Sequence, residues 1–269
     1  MVDPLLLRVL IASLLSGVLV GISSPLLTLA KTLLTGLSMI HNVLAGGVLA
    51  VYLYYVCGVS VPMIHVALIY VILVAILTAE LVERGYPPDT AASVMIAISS
   101  AITVVLSYFV ATKSSIAIAQ AWSLVVGTSS IITLSDISLL IAASAVVGAL
   151  VLLFRREIIY IAFDELGARS MGLNVRLYRY VLYTVIAILA ITLTMTIGII
   201  AAHITIAAPG ALALQLSRRK YMHLSIFIAL AIALGGYILA YIAYLPPSGG
   251  LGIFAAATLI LSELLKVKR

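Results

Sequence analysis

Apolar runs of about 20 residues, separated by short clusters of charge, proline and glycine, make up nearly the whole chain. A helix of about 20 apolar residues crosses the hydrocarbon of a bilayer, where lipid cannot satisfy exposed backbone groups. On this pattern the first span covers residues 5–22 and ends at Ser23-Ser24-Pro25. The next three cover 33–56, 63–81 and 90–111, with a turn from Gly58 to Pro62 and with Asp89 placed to cap the fourth. Residues 113–135 are less apolar and carry Gln120, Trp122, Gly127 and a Ser/Thr cluster, so loop, re-entrant segment and half-span all stay open. Asp136 starts a span that ends at Arg155-Arg156. Residues 178–216 are too long for one crossing and should form two helices that turn near Thr196-Ile197-Gly198. Spans at 221–244 and 251–265 follow, joined through Pro246-Pro247 and Gly249-Gly250. The expected fold is an all-α polytopic helical membrane protein. It forms a single transmembrane domain over 1–269 with eight or nine spans.

One segment breaks the apolar rhythm without being a mere turn. Residues 163–173, between two spans, form a short amphipathic stretch. Asp164 can N-cap a helix from Glu165 to Met171, and Gly172 stands where a left-handed residue ends one. Glu165 and Arg169 are four apart with the acid first, the favourable order. Phe163, Leu166 and Met171 supply apolar contacts. Such a helix is either an ordinary solvated loop helix or a knob on which a partner docks.

Composition narrows the class. The chain of 269 residues is 64% hydrophobic and 9% charged, with mean hydropathy +1.30; a soluble domain carries about 25% charged residues. The net charge of +6 is not a nucleic-acid signal, because the cations sit at the ends of apolar runs, as loops on the cytoplasmic side do. Placing Lys31, Arg84, Arg155-Arg156, Arg218 to Lys220 and the C-terminus inside gives a self-consistent threading. The N-terminus, without a basic leader or a cleavage site, is read as the start of the first span. Cys57 is the only cysteine, so no internal disulfide or thiolate cluster forms within one chain. No phosphate-binding loop and no paired His-Glu zinc motif occurs, which argues against an enzyme and puts ATP hydrolysis, if any, on another chain. No internal repeat supports an inverted-repeat secondary transporter.

Two histidines lie well inside spans. His41 is ten residues past Lys31 and His203 fourteen before Ser217, roughly 15 and 21 Å along a helix. Ionisable groups at that depth tend to face a pathway or a buried partner. Ser38, His41, Asn42 and Ala45 share one helix face, whereas Thr205 follows His203 by two and cannot share its face. Pro209 lacks an N–H, frees the Thr205 carbonyl and favours a kink. That carbonyl and the imidazoles are candidate ligands for a passing transition-metal ion; the competing reading is histidine as interhelical packing glue. His65 and His223 are expected at the two interfaces.

These residues resemble a family. Gly36-Leu37-Ser38-Met39-Ile40-His41-Asn42-Val43-Leu44-Ala45-Gly46 resembles the G-D-A-[IL]-S-H-A-V-L-P-G signature of manganese/zinc/iron-type ABC transporter permeases. Asp89-Thr90-Ala91 resembles its D-[TA]-A segment after the third span. Phe163-Asp164, Ala168 and Gly172-Leu173 resemble its F-D-x-x-x-A-x-x-x-G-L cytoplasmic motif. Gly198 through Pro209 and Ala213 resembles its V-G-x-L-L-V-x-A-L-L-[IV]-x-P-A-A-T-A helix. The resemblance implies a homodimeric permease in the plasma membrane, with two cytoplasmic ABC ATPase subunits that hold the ATP and an extracellular metal-binding lipoprotein. The cargo would be Zn²⁺, Mn²⁺ or Fe²⁺, with no covalently bound cofactor. The resemblance carries over His41 as the metal residue; His203, Ser38, Asn42 and Thr205 join it as candidate pathway residues from their depth and helix positions alone. The implied coupling residues are Phe163, Asp164, Ala168 and Gly172, which match the cytoplasmic motif, and Glu165 and Arg169 join them through their i,i+4 spacing. Leu37 stands where the family has its metal-binding Asp, Ala45 replaces a Pro, and His203 stands where the family usually has a small residue. Losing the carboxylate shifts the expected preference toward Zn²⁺. Alternatives are a metal chelate such as a siderophore or corrinoid as cargo, or a membrane scaffold subunit that has lost transport.

Overall fold

A computed structural model describes residues 4–126, 134–217 and 219–266. Among these the chain is helical throughout, in eleven helices: α1 Pro4–Leu29, α2 Leu33–Tyr55, α3 Met63–Glu83, α4 Pro88–Ala111, α5 Ser115–Val126, α6 Leu134–Phe163, α7 Glu165–Ser170, α8 Val175–Ile197, α9 Ile199–Leu216, α10 Tyr221–Ile242 and α11 Pro247–Lys266. Eight (α1–α4, α6 and α8–α10) are long and apolar enough to cross a membrane, and α11 carries a shorter apolar stretch, Ser248–Ser262. The expectation of eight or nine spans therefore holds.

Several boundaries differ from the sequence reading: α8 and α11 begin earlier, at Val175 and Pro247, and three further differences each have a local reason. Helix α1 does not stop at Ser23-Ser24-Pro25 but runs on to Leu29. Pro25 removes one intrahelical hydrogen bond, and packing offsets the loss: Leu26 and Leu27 are buried, and Ser24 Oγ accepts the Gly210 N–H of α9 at 2.8 Å. Asp89 does not cap α4. Pro87 is the N-cap, no side-chain cap bond forms, and Asp89 lies inside the first turn, where a proline start needs no donor. Helix α6 continues past Arg155-Arg156 to Phe163. Arginine is a good helix former; it marks the edge of the apolar region, not the end of the helix.

The open segment resolves into the 12-residue α5, roughly 18 Å long and too short to span. It packs on α2, α4, α8 and α9. The Ser/Thr cluster that follows, Arg218 and residues 267–269 lie outside the described residues. The turn expected near Gly198 is present: α8 stops at Ile197, Gly198 takes φ 84°, and α9 starts at Ile199. A positive φ of that size suits a residue without Cβ.

Helix α8 is the buried axis, with Ile186, Leu189 and Leu193 inaccessible and α2, α3 and α6 packed around it. Small residues set the tightest crossings. A Cβ on Gly46 would stand 2.8 Å from the Ala67 Cα, and one on Gly210 would stand 2.5 Å from the Ser24 carbonyl. Close backbone approach of this kind holds membrane helices together where burying apolar surface gives no drive. The α1–α2, α3–α4, α6–α7 and α9–α10 connections all gather at one end of the bundle, the end that carries α7.

Candidate functional site

Two constellations carry chemistry, one inside the bundle and one at the α7 end. The inner one joins residues 162 positions apart. His41 of α2 and His203 of α9 meet with Nε2 atoms 3.3 Å apart and rings edge to face, centroids 5.0 Å apart. His203 Nδ1 lies 2.7 Å from the Ile199 carbonyl. A carbonyl only accepts, so Nδ1 carries the proton and donates; in the neutral ring Nε2 is then the acceptor, and His41 donates its Nε2–H to it. Helix α9 can place His203 there because Gly198, just before it, reverses the chain. Leu37, one turn from His41 toward the α7 end, is half-buried against the apolar core. No group of three or more His, Cys, Asp or Glu side chains close enough to hold a metal exists among the described residues.

The other residues singled out from the sequence go elsewhere. Ser38 donates to the Ala92 carbonyl of α4 at 3.1 Å, and Asn42 Nδ2 donates to Ser38 Oγ at 3.3 Å. Asn42 Oδ1 accepts from Ser99 of α4, whose hydroxyl also meets the Tyr70 hydroxyl of α3 at 2.9 Å. These side chains form a satisfied polar network that locks α2 to α3 and α4. Thr205 donates to the Ala201 carbonyl of its own helix at 2.8 Å. With Pro209 it lines a void of about 10 Å³ beside Ser16 of α1 and Tyr237 of α10, so neither joins the histidines.

At the α7 end the short helix forms as its sequence specifies. Asp164 Oδ1 accepts the Gly167 N–H at 2.8 Å, Gly172 takes φ 80°, and Glu165 pairs with Arg169 at 2.8 Å. Ala168 is buried, while Phe163, Leu166 and Met171 stand exposed at 72%, 79% and 63%. What seats the helix was not legible in the sequence. Arg179 of α8, nearly buried, pairs at once with Glu83 of α3 and, at 2.9 Å, with Glu165. Arg169 reaches Glu83 at 3.6 Å, and Arg176 with Tyr180 holds Glu80, each at 2.9 Å. Burial pushes the Glu165 carboxyl up, but the hydrogen bonds and charges of Arg169 and Arg179 outweigh it and hold the group below the usual glutamate range. The only advance signal was carboxylates and arginines at the α7-side ends of two distant spans. Between these helices opens a cavity of about 650 Å³, lined among others by Lys31, Tyr86, Phe163 and Tyr183.

The chain is thus a multi-pass helical bundle with a capped, ion-paired short helix at one end. The sequence model of the ABC 3 transport family matches residues 2–266, and the chain belongs to that family. It is 26% identical over 216 residues to the chelated iron transport system membrane protein YfeD of Yersinia pestis, covering 80% of this chain and 69% of the relative. Among solved structures it superposes on PsaBC from Streptococcus pneumoniae in complex with Fab with TM-score 0.79 at 21% identity, covering 100% of this chain and 96% of that one. It also superposes, with TM-score 0.72 at 14% identity, on an inward-facing transporter assigned to the metal-chelate ABC type, covering 98% and 90%. At those identities the likeness shows the fold.

Proposed function

We propose that this chain is the permease subunit of an ABC importer for a divalent transition-metal ion, with Zn²⁺ favoured over Mn²⁺ and Fe²⁺. The observation that carries the reading is the imidazole pair. Two nitrogens on adjacent corners of a zinc tetrahedron, each about 2.0–2.1 Å from the metal, stand about 3.3 Å apart; the hydrogen-bonded His41 and His203 Nε2 atoms stand 3.3 Å apart, and an ion entering between them would displace the His41 Nε2 proton. His203 from α9 thus offers a ligand where Leu37 has removed one from α2. Two ligands without a carboxylate make a sparse site, and a transported ion must bind well enough to enter yet weakly enough to leave. Borderline ions suit imidazole better than hard ones do.

In this reading the α7 end faces the cytoplasm, and Phe163, Leu166 and Met171 present an apolar knob to an ABC ATPase dimer. Glu83, Arg179 and Glu165 transmit its motion to α3 and α8. The permease works as a homodimer in the plasma membrane, with its C-terminus inside and a metal-binding lipoprotein outside. A chelated metal as cargo is the second reading, favoured by the chelated iron system to which the relative belongs.

The test is ATP-dependent uptake into liposomes that hold the permease, its ATPase and its binding protein, with Zn²⁺, Mn²⁺, Fe²⁺ and a ferric siderophore offered separately. Zn²⁺ uptake that is lost in both His41→Ala and His203→Ala, with ATPase assembly unchanged, is the expected result. Undiminished uptake by either mutant removes that histidine from the pathway. Siderophore uptake alone moves the cargo to the chelate class, and no uptake of any kind leaves the scaffold reading.

A further inference from the structure

Apart from Lys31, which lines the neighbouring cavity, the described arginines and lysines at the α7 end divide into two sets. Arg84, Arg169, Arg176 and Arg179 are neutralised by Glu80, Glu83 and Glu165. Arg155 and Arg156 of α6, with Arg219 and Lys220 just before α10, form no salt bridge among the described residues, yet they line one groove of about 600 Å³. Tyr160 and Tyr221 line it as well, and no carboxylate does so among the described residues. Segments more than sixty positions apart therefore bring four like charges around one groove, and an anion bound between them would relieve their mutual repulsion.

The depth of the groove indicates which anion. The apolar part of α6, residues 137–154, is roughly 27 Å long, close to the hydrocarbon thickness of about 30 Å. Arg155-Arg156 thus emerge where headgroups begin, and Lys220 stands directly before the apolar start of α10. Helices α6 and α10 both pack on α1, and no residue of α1 lines the groove. Arginine pairs bind phosphate through two parallel hydrogen bonds, tyrosine prefers the interface, and basic pockets between spans on the cytoplasmic side hold anionic headgroups.

We propose that the groove between α6 and the start of α10 binds the phosphodiester headgroup of an anionic phospholipid in the cytoplasmic leaflet. The leaflet rests on the orientation given under Proposed function; the lipid site itself does not. Headgroup binding would fix the inner ends of α6 and α10 relative to each other, beside the helix that receives the ATPase.

Native mass spectrometry of the purified chain, titrated with phosphatidylglycerol or phosphatidylcholine, tests this without reference to leaflet. The wild type should bind phosphatidylglycerol the more tightly. Each cation near an anionic surface contributes about a factor of five, so R155Q/R156Q and R219Q/K220Q should each weaken that binding roughly 30-fold. K31Q, a cation at the same end outside the groove, should change it less than twofold. R155K/R156K keeps charge and topology but loses the paired hydrogen bonds, and should fall between. Equal binding of the two lipids, or an equal loss in K31Q, overturns the proposal. So does displacement of phosphatidylglycerol by millimolar inorganic phosphate, which would make the ligand a soluble anion. Loss of ATPase binding in the groove mutants with lipid binding intact overturns it too, in favour of the partner subunit. Lipid binding in a groove shown to face outside would refute the orientation and leave the site standing.

Discussion

Replacing Arg179 by Met should unseat α7 more than any other single change at that end. Its side chain is 12% exposed and that of Glu83 is 13%, so their pair is largely removed from water. Breaking a buried pair by removing one partner costs about 3–5 kcal/mol, because the other charge is left uncompensated. In the mutant, Glu83 keeps only Arg169 at 3.6 Å. Glu165 loses less: it is 43% exposed and retains Arg169 at 2.8 Å, and a wet pair of that kind is worth about 1 kcal/mol or less. The expected destabilisation is therefore about 3 kcal/mol, nearly all of it arising at Glu83. Equilibrium unfolding in detergent of the wild type, R179M, E83Q and E83Q/R179M completes a double-mutant cycle. The double mutant should be more stable than R179M, with a coupling of about 2 kcal/mol. Hydrogen exchange across α7 should rise in R179M alone. A coupling below about 0.5 kcal/mol, the value of an exposed pair, would refute the claim that Glu83 and Arg179 act as a buried pair, and unchanged exchange across α7 in R179M would refute the claim that Arg179 seats the helix.

Gly210→Ala forces a Cβ to within 2.5 Å of the Ser24 backbone; it should cost about 1–3 kcal/mol, read as a lowered unfolding midpoint, and a neutral result would show that α1 and α9 separate easily. Asp164→Ala removes the acceptor for the Gly167 N–H and should cost about 1 kcal/mol, with faster exchange confined to α7. Because the Glu165 carboxyl lies below its usual range, its contribution is fully present above the ordinary glutamate pKa, about 4.3. It is lost only as pH falls through the lower folded value. Protection of α7 should thus persist from pH 7 to 5 and fall below about 4, with that loss diminished in E165Q; a loss between pH 7 and 5 would contradict the assignment. Cys57 is exposed, in the connection between α2 and α3 away from α7, so a membrane-impermeant maleimide should label it from outside intact cells. Labelling only after the cells are opened would invert the orientation.

Hydropathy by itself determined the class, the spans and the position of α7, because a bilayer imposes one length on every crossing and water claims every interruption. Asp164, Gly172 and the Glu165–Arg169 pair were legible for a related reason: capping and i,i+4 pairing act within a single turn. The break at Gly198 was likewise local, a conformation that the absent Cβ permits. Tertiary structure decided everything that depends on which helices are neighbours. Proline at position 25 signalled an end, yet packing against Gly210 carried α1 through it. Ser38 and Asn42 share the helix face of His41 in one dimension, but α4 claims them, and α9 brings His203 to the histidine instead. Arg179 and Glu83 lie 96 positions apart, and no periodicity in either span could pair them. In a chain where nearly every position is apolar, hydrophobicity says how far to cross and nothing about which partner to meet. That choice is made by close packing and by the few polar groups that lipid leaves unsatisfied.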